Sequence, residues 1–320
     1  MYVSFGFRFR AEVEALNMAE AVGNYTRHRT APVMVIERDQ DGRVIAYKVT
    51  MAPAVSGQSI AFGFMSALVK LANQRNLPVC DECQNYSKLG GFFKRADRPE
   101  IGRDERIRTC VVEDVTGFMA TKERGGGEKG GMIRRTSPVM FSYMVPDSYS
   151  ARGVVMPQLH VRYNLQNPQQ QVPYQVEAGT AIYIHGVAID VERIGRFEDS
   201  DGYVGDRKAR IEAVFDALKA LYGGLLFGAK KARYTPIFEA LGGIAAISHP
   251  IPFTVSPPRM RDYVEENAKR AAAYIGEVSL FCFDKEGITS CGKTGDKVKA
   301  VSNLEELINS VKDLVLNKIK

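Results

Sequence analysis

The chain has 320 residues, 45% of them hydrophobic, so it can bury a large core and global disorder is excluded. Its 43 Lys and Arg against 37 Asp and Glu leave a net charge of +6, a mild basic excess that admits a polyanionic partner without demonstrating one. Five irregularly spaced cysteines are no secreted disulfide framework, and the uncharged stretches at 53–69 and 240–258 are too interrupted by Gly, Pro and polar residues to cross a bilayer. The expectation is a soluble cytoplasmic protein with no membrane partner.

The N-terminus reads as a strand rather than a signal peptide, because Val3, Phe5, Phe7 and Phe9 alternate with Ser4, Arg8 and Arg10. The segment GNYTRHRTAP at 23–32 follows, with no acidic residue between Glu20 and Glu37. Guanidinium groups offer forked donors to phosphate oxygens, and a tyrosine or histidine ring offers a face to a base. The loop therefore suits a polyanion such as RNA; a solvated basic turn is the competing reading. Residues 33–37 and 43–49 flank Asp41-Gly42 as a hairpin. Ser56 predicts the cap of a helix running to about residue 73, with Ile60, Phe64, Leu68 and Leu71 packed on the first strand.

Between 76 and 157 the pattern loosens, which reads as an insertion into a compact core, with a mobile glycine-rich segment at 122–131. Cys80 and Cys83 form a CxxC, half of a zinc site or a disulfide. No second CxxC or histidine pair completes a ligand set, so structural cysteines and no bound metal are expected. Alternation resumes at Val139, Phe141, Tyr143 and Val145, one strand of a hairpin. At 158–164, Leu159, Val161 and Tyr163 alternate with Gln158, His160, Arg162 and Asn164. That pattern predicts a strand burying the first set and presenting the second. Residues 178–191 read as another long strand. Residues 208–222 read as a helix stopped by Gly223-Gly224, 260–275 as a helix and 278–283 as a strand. A last helix starts near Asn303 with Ser302 and Glu305 as a capping box. Helices alternating with hairpins predict a single elaborated α+β domain over 1–320, with the helices on one face of an antiparallel sheet.

Residues 287–294 match GxxxxGK[ST], the phosphate-cradling loop, but that loop works only between a strand and a helix. Here Asp284-Lys285-Glu286-Gly287 reads as a turn placing 288–291 in a returning strand, so the match is expected to be a decoy. Of the histidines, His185 in an apolar strand and His249 in a proline-rich stretch read as structural. No catalytic constellation stands out. The basic segments at 23–32, 134–137, 158–164 and 230–234, interleaved with Tyr, His and hydroxyl residues, fit an extended groove for single-stranded nucleic acid.

The ordered set GNYTRHRTAP, PAVSGQS (53–59), GFM (117–119), RRTS (134–137), LHVRY (159–163) and KKARYTP (230–236) resembles archaeal type I-A Cascade backbone subunits. These form the DevR branch of the CRISPR-associated RAMP proteins, and the resemblance covers nearly the whole chain. It implies a modified ferredoxin-like (RRM-like) palm with large insertions forming finger and thumb elements. It also implies a non-catalytic subunit without cofactor, copies of which line up along a CRISPR RNA and present it for pairing with target DNA. The implied partners are CRISPR RNA, other copies of the chain, other Cascade subunits and target DNA.

Carried onto this sequence, Asn24, Arg27, His28 and Arg29 form a phosphate-binding loop. Ser56, Gly57 and Gln58 offer hydrogen bonds at a helix start. His160 and Arg162 line the RNA groove, Lys230, Lys231 and Arg233 extend it, and Arg134 and Arg135 belong to the thumb or to a contact between subunits. Related type III subunits cut RNA with a loop aspartate, which the basic loop here lacks. A RAMP-type endoribonuclease and a P-loop nucleotide-binding enzyme stand as the alternatives. The patches are expected to converge into one continuous track.

Overall fold

A computed structural model describes residues 1–121, 132–148, 154–167, 169–293 and 298–319; the glycine-rich segment expected to be mobile at 122–131 lies outside these. The chain opens with β1 (Tyr2–Glu14), then a short hairpin, β2 (Met18–Val22) and β3 (Tyr25–His28), and a longer one, β4 (Thr30–Arg38) and β5 (Val44–Pro53). Helix α1 (Gly57–Gln74) starts where predicted, with Ser56 Oγ accepting the Ser59 amide at 3.2 Å. Four short helices follow, α2 (Asp81–Gln84), α3 (Tyr86–Leu89), α4 (Arg103–Thr109) and α5 (Val111–Thr116). Next come the ribbon of β6 (Phe118–Thr121) and β7 (Met132–Arg135), and the strands β8 (Val139–Phe141), β9 (Val145–Pro146) and β10 (Val154–Tyr163). All three of these strands pair with β11 (Gln171–Asp190). The remainder is α6 (Arg207–Gly223), β12 (Ile237–His249), α7 (Tyr263–Ala272), β13 (Glu277–Asp284), β14 (Val298–Ala300) and α8 (Leu304–Lys318).

The main sheet runs β14-β13-β12-β1-β11-β3-β2, antiparallel except at β11–β3 and β13–β14. Val3, Phe5, Phe7 and Phe9 of the central β1 bury completely or nearly so against Ile60, Phe64 and Leu68 of α1, Leu218 and Leu221 of α6, and Leu307 and Val311 of α8. Each such phenylalanine contributes roughly 1.5–3 kcal/mol. The opposite face of β1, which alternation would give to solvent, is buried too. Ser4 Oγ donates to Phe253 O at 2.8 Å, and the Arg8 guanidinium is held by Asp147, Glu286 and Pro258 O.

The cover on that second face is residues 253–264 and α7, packed on Ile244 and Ala246, whereas Ala245 and Ile247 of the same strand face the other layer. The helices are therefore not confined to one face as expected. The glycine- and proline-interrupted stretch at 240–258 hid β12, the strand that separates the two layers.

Three further readings change. Leu159, Val161 and Tyr163 are exposed at 66%, 44% and 66%, because among the described residues β10 pairs only with β11 and no layer covers this distal ribbon. Residues 288–291 do not return as a strand; β14 follows later and runs parallel to β13. The last helix is capped by Asn303, whose Oδ1 accepts the Glu306 amide at 2.8 Å while Glu306 accepts from Ser302 N, one residue on from the predicted box. Residues 76–121 hold Cys83, Cys110, Val111, Val112 and Val115 inside the main core. There the buried Glu113 binds Arg95 and Arg106, and the buried Asp114 binds Arg135 and Arg210. No described helix is long and apolar enough to cross a membrane.

Candidate nucleic-acid interface

The site is built where β1 ends. One extra residue on β1 interrupts its pairing with β11, since Ala11 faces Ala181 but Glu14 faces Gly179. This bulge, with Val13 at φ 52°, turns Glu14 inward while leaving Val13 exposed. Glu14 accepts the Leu16 amide at 2.6 Å and the Tyr183 hydroxyl at 2.5 Å. His28 Nε2 lies 2.7 Å from Glu14 Oε1, with both side chains fully buried. Its Nδ1 lies 2.7 Å from Arg29 O, so both nitrogens face acceptors and the imidazolium form suits the site. Burial pulls His28 toward neutrality, but the hydrogen bond and charge of Glu14 outweigh it, and the ring titrates above its ordinary range. A Cβ on Gly179 would fall 2.7 Å from Glu14 Oε1, which is why glycine stands there. His28 is thus an internal ion-pair partner and not an RNA-facing side chain, a correction to the sequence reading.

Strand alternation sends its neighbours outward. Arg27 is exposed, with its guanidinium 5.9 Å from the Tyr25 ring centroid. Arg29 is half-buried, and its Nε is buried without a hydrogen-bond partner among the described residues. Both arginines line a cleft of about 320 Å³ with Ala19, Thr30, Val155, Glu177 and His28, whose side chain is turned inward. Glu177 is occupied by the Tyr25 hydroxyl and by the His28 amide at 2.7 Å. Asn24 is exposed at the β2–β3 turn beside Gly23, whose φ of +57° favours glycine.

Asn17 joins this strand to the start of α1. Its carbonyl accepts the Arg29 amide at 2.7 Å, and its side chain accepts the Ser56 amide at 2.8 Å. Ser56 itself is buried as the cap, so its hydroxyl is committed to the helix. A Cβ on Gly57 would lie 2.5 Å from Phe141 O, making this glycine a close-packing position; Gln58 alone of the three predicted residues presents an exposed side chain.

A second cluster forms around His160. Its ring stacks on Tyr174 at 5.1 Å, and its Nε2 meets the Tyr234 hydroxyl. Arg233 donates to the Tyr174 hydroxyl, and Lys230 and Arg233 line a cleft of about 230 Å³ with these rings. Arg162 is exposed two residues further along β10. Lys231 is tied back, donating to Leu225 O at 2.6 Å, and burial lowers its pKa.

The two clusters do not merge into one track on one face. His160 pairs with Tyr174, and Gln158 with Val176, whereas Pro157 pairs with Glu177 and Val155 with Gly179. Successive residues of a strand point to opposite faces, so Arg27 and Arg29 gather beside one face of the β10–β11 ribbon and Lys230, Arg233 and His160 gather on the other.

Arg134 and Arg135 join neither cluster. Arg134 is exposed on β7, while Arg135 is buried against Asp114, Glu198 and the carbonyls of Arg193 and Arg196. That network sits just beyond the far end of β11, on the order of 40 Å from Glu177 at 3.3 Å per residue. Burial lowers the Arg135 pKa, but its partners keep it a structural cation, so it too is corrected.

The phosphate-loop match is filled by the protein's own groups. Asp284 accepts the amides of Gly287 and Thr289, Asp262 accepts that of Ser290, and Cys291 is disulfide-bonded to Cys282. Thr294 lies outside the described residues. Sequence reasoning missed Glu14, Asn17, Tyr174 and Glu177 because each acts through a partner far away in the chain. Tyr174, alternating into register with His160, was the findable one.

Fold and site together define an α+β protein with a basic cleft on one side of a projecting ribbon and a basic, aromatic-lined cleft on the other. The chain belongs to the DevR/Csa2 family: the family described as CRISPR-associated negative auto-regulator DevR/Csa2 matches residues 5–268. It is 35% identical to CRISPR-associated protein Cas7/Csa2 1 of Saccharolobus solfataricus, covering 80% of this chain and 82% of that one. It is 28% identical to CRISPR-associated aCascade subunit Cas7/Csa2 2 of the same organism, covering 96% and 98%. A chain of a solved CRISPR RNA-guided surveillance complex has the same fold, with a TM-score of 0.58 at 11% identity over 98% of this chain and 100% of the other. The family read from the six ordered motifs is the family found.

Proposed function

We propose that the protein is a non-catalytic backbone subunit of a CRISPR interference complex, copies of which hold a guide RNA by its phosphates and present it for pairing with target DNA. The observation that carries this reading is the Arg27/Arg29 cleft, where the buried Arg29 Nε has no acceptor among the described residues. A phosphate oxygen is the acceptor such a donor suits. Phosphate contacts carry no sequence information, as a guide-holding protein requires. The Lys230/Arg233 cleft with Tyr174 and His160 supplies a second basic surface, with ring faces for stacking.

The finer fold reading, a modified ferredoxin-like palm, is supported by β1 lying between two antiparallel neighbours, with α1 and α6 as the crossovers. β12, β1, β11 and the β8/β9 edge then stand in the order of the fourth, first, third and second strands of that fold. Assembly with further copies is supported by the β4–β5 hairpin, which exposes Met34, Ile45, Tyr47, Val49 and Met51 at 57% to 68%. The two ribbons, β4–β5 and β10–β11, are our candidates for finger and thumb. The non-catalytic reading rests on the carboxylates nearest the clefts: Glu14 and Glu177 are both held by protein donors. Such a subunit works in the cytoplasm, where guide RNA is made and invading DNA is met.

The test is RNA affinity of the Arg27→Ala/Arg29→Ala variant against unrelated single-stranded RNAs at several salt concentrations. Binding should weaken uniformly across sequences, with the log–log salt slope flatter by about 0.7 per lost phosphate contact. A variant that binds as wild type, or that changes mainly its sequence preference, would contradict the proposal.

A further inference from the structure

The sulfurs of Cys80, Cys83 and Cys110 all lie within 4.8 Å of one another. A tetrahedral zinc ion with bonds of about 2.3 Å holds its thiolates about 3.8 Å apart, so a small inward adjustment of these side chains converts the cluster into three ligands. Cys80 caps the single turn of α2 and Cys83 lies within it, and Cys110 sits at the junction of α4 and α5. The two segments are already joined by a hydrogen bond from Val111 N to Pro78 O at 2.8 Å. Cys83 and Cys110 are buried and Cys80 is mostly buried, the least enclosed of the three residues, so the approach from solvent lies beside Cys80.

We infer that Cys80, Cys83 and Cys110 form a zinc site that staples α2 to the α4–α5 junction, with a water or other outside ligand completing the tetrahedron next to Cys80. This goes beyond the proposed function and does not depend on it. Lys94 and Arg95 are the cations beside these sulfurs, and Arg95 with Arg106 also holds the buried Glu113. Three thiolates and one zinc ion leave one net negative charge, which these cations offset. Lys94 is fixed in place by donating to Thr116 O at 3.0 Å and Gly117 O at 2.9 Å.

The site also meets a structural need. Helices of four, four, seven and six residues in this region are far too short to stand alone, and a metal crosslink holds two of their segments together. On binding, each thiol gives up its proton to solvent as its sulfur bonds the metal, and three protons leave. The third ligand lies 27 residues beyond the CxxC, so the sequence pattern alone presents only half of such a site.

The experiment is titration of the reduced, metal-stripped, full-length chain with Co²⁺. The expected result is one tight cobalt per chain, with the visible bands of tetrahedral cobalt and a thiolate-to-metal charge-transfer band, all displaced by one equivalent of Zn²⁺. Cys80→Ser and Cys110→Ser should each weaken binding about 100-fold or more, and Cys282→Ser should leave it unchanged. If Cys110→Ser does not fold, the wild-type spectrum and its displacement by zinc still decide the matter. A wild-type chain giving only weak octahedral cobalt absorption would overturn the inference. So would a Cys80–Cys83 disulfide in protein purified from zinc-replete cells.

Discussion

At residue scale, His28 carries a stability argument that a surface histidine would not. It is 3% exposed, faces Glu14 through one nitrogen and a carbonyl through the other, and is held protonated above its ordinary value of 6.5. A histidine with a raised folded pKa contributes stability that is fully present below the unfolded pKa and disappears as pH rises through the folded one. The melting temperature should therefore fall as pH rises upward from about 6.5. His28→Gln should remove that dependence and cost about 3 kcal/mol, the penalty for removing the cation of a buried ion pair. Thermal melts across pH check both, and an unchanged pH profile in His28→Gln would refute the assignment. The basic run was visible in the sequence. What hid the fate of its histidine was the bulge at Val13, which aims Glu14 at it and leaves no mark in composition or spacing.

At the scale of elements, one carboxylate links all three helices of the helical layer. Asp216 on α6 meets Arg75 just past the end of α1, Lys312 of α8 at 3.1 Å and Lys219 of its own helix at 2.8 Å. Partial burial works against its ionised form, but these three cations together pull its pKa down to about 2. The depressed pKa means stability that is present above the unfolded value and lost as pH falls toward 2. Asp216→Asn should destabilise the chain by about 1 kcal/mol at neutral pH, since solvent screens part of the interaction, and should shrink the loss on acidification. Denaturant unfolding at neutral and acid pH measures this. Helices α1 and α6 were legible because their apolar stripes recur at helical spacing and Ser56 and Gly223-Gly224 mark their limits. The β10–β11 ribbon was half legible: its alternation announced a strand, yet which set would be buried depended on a neighbour the ribbon lacks. The α2–α5 region was least legible, because buried Arg–Glu and Arg–Asp pairs carry it in place of a hydrophobic period.

At the scale of the whole molecule, the basic segments resolve into two clefts separated by the thickness of a two-stranded ribbon, with Arg134 and Arg135 remote from both. A strand contacting both clefts must pass around the ribbon, which would stand as a post between neighbouring nucleotides. The sequence could place Arg27, His160 and Arg233 in one functional set through shared chemistry. It could not say on which face each would emerge, because that depends on the register of Glu177 against Pro157 and of Tyr174 against His160. Photo-crosslinking of the full-length chain to a repeat-spacer RNA, with the adducts mapped by mass spectrometry, tests this most directly. The account predicts adducts in the same complexes at Tyr25 or its neighbours on one side of the ribbon and at Tyr174 or Tyr234 on the other. Adducts confined to one side, or clustered at residues 287–293, would contradict it.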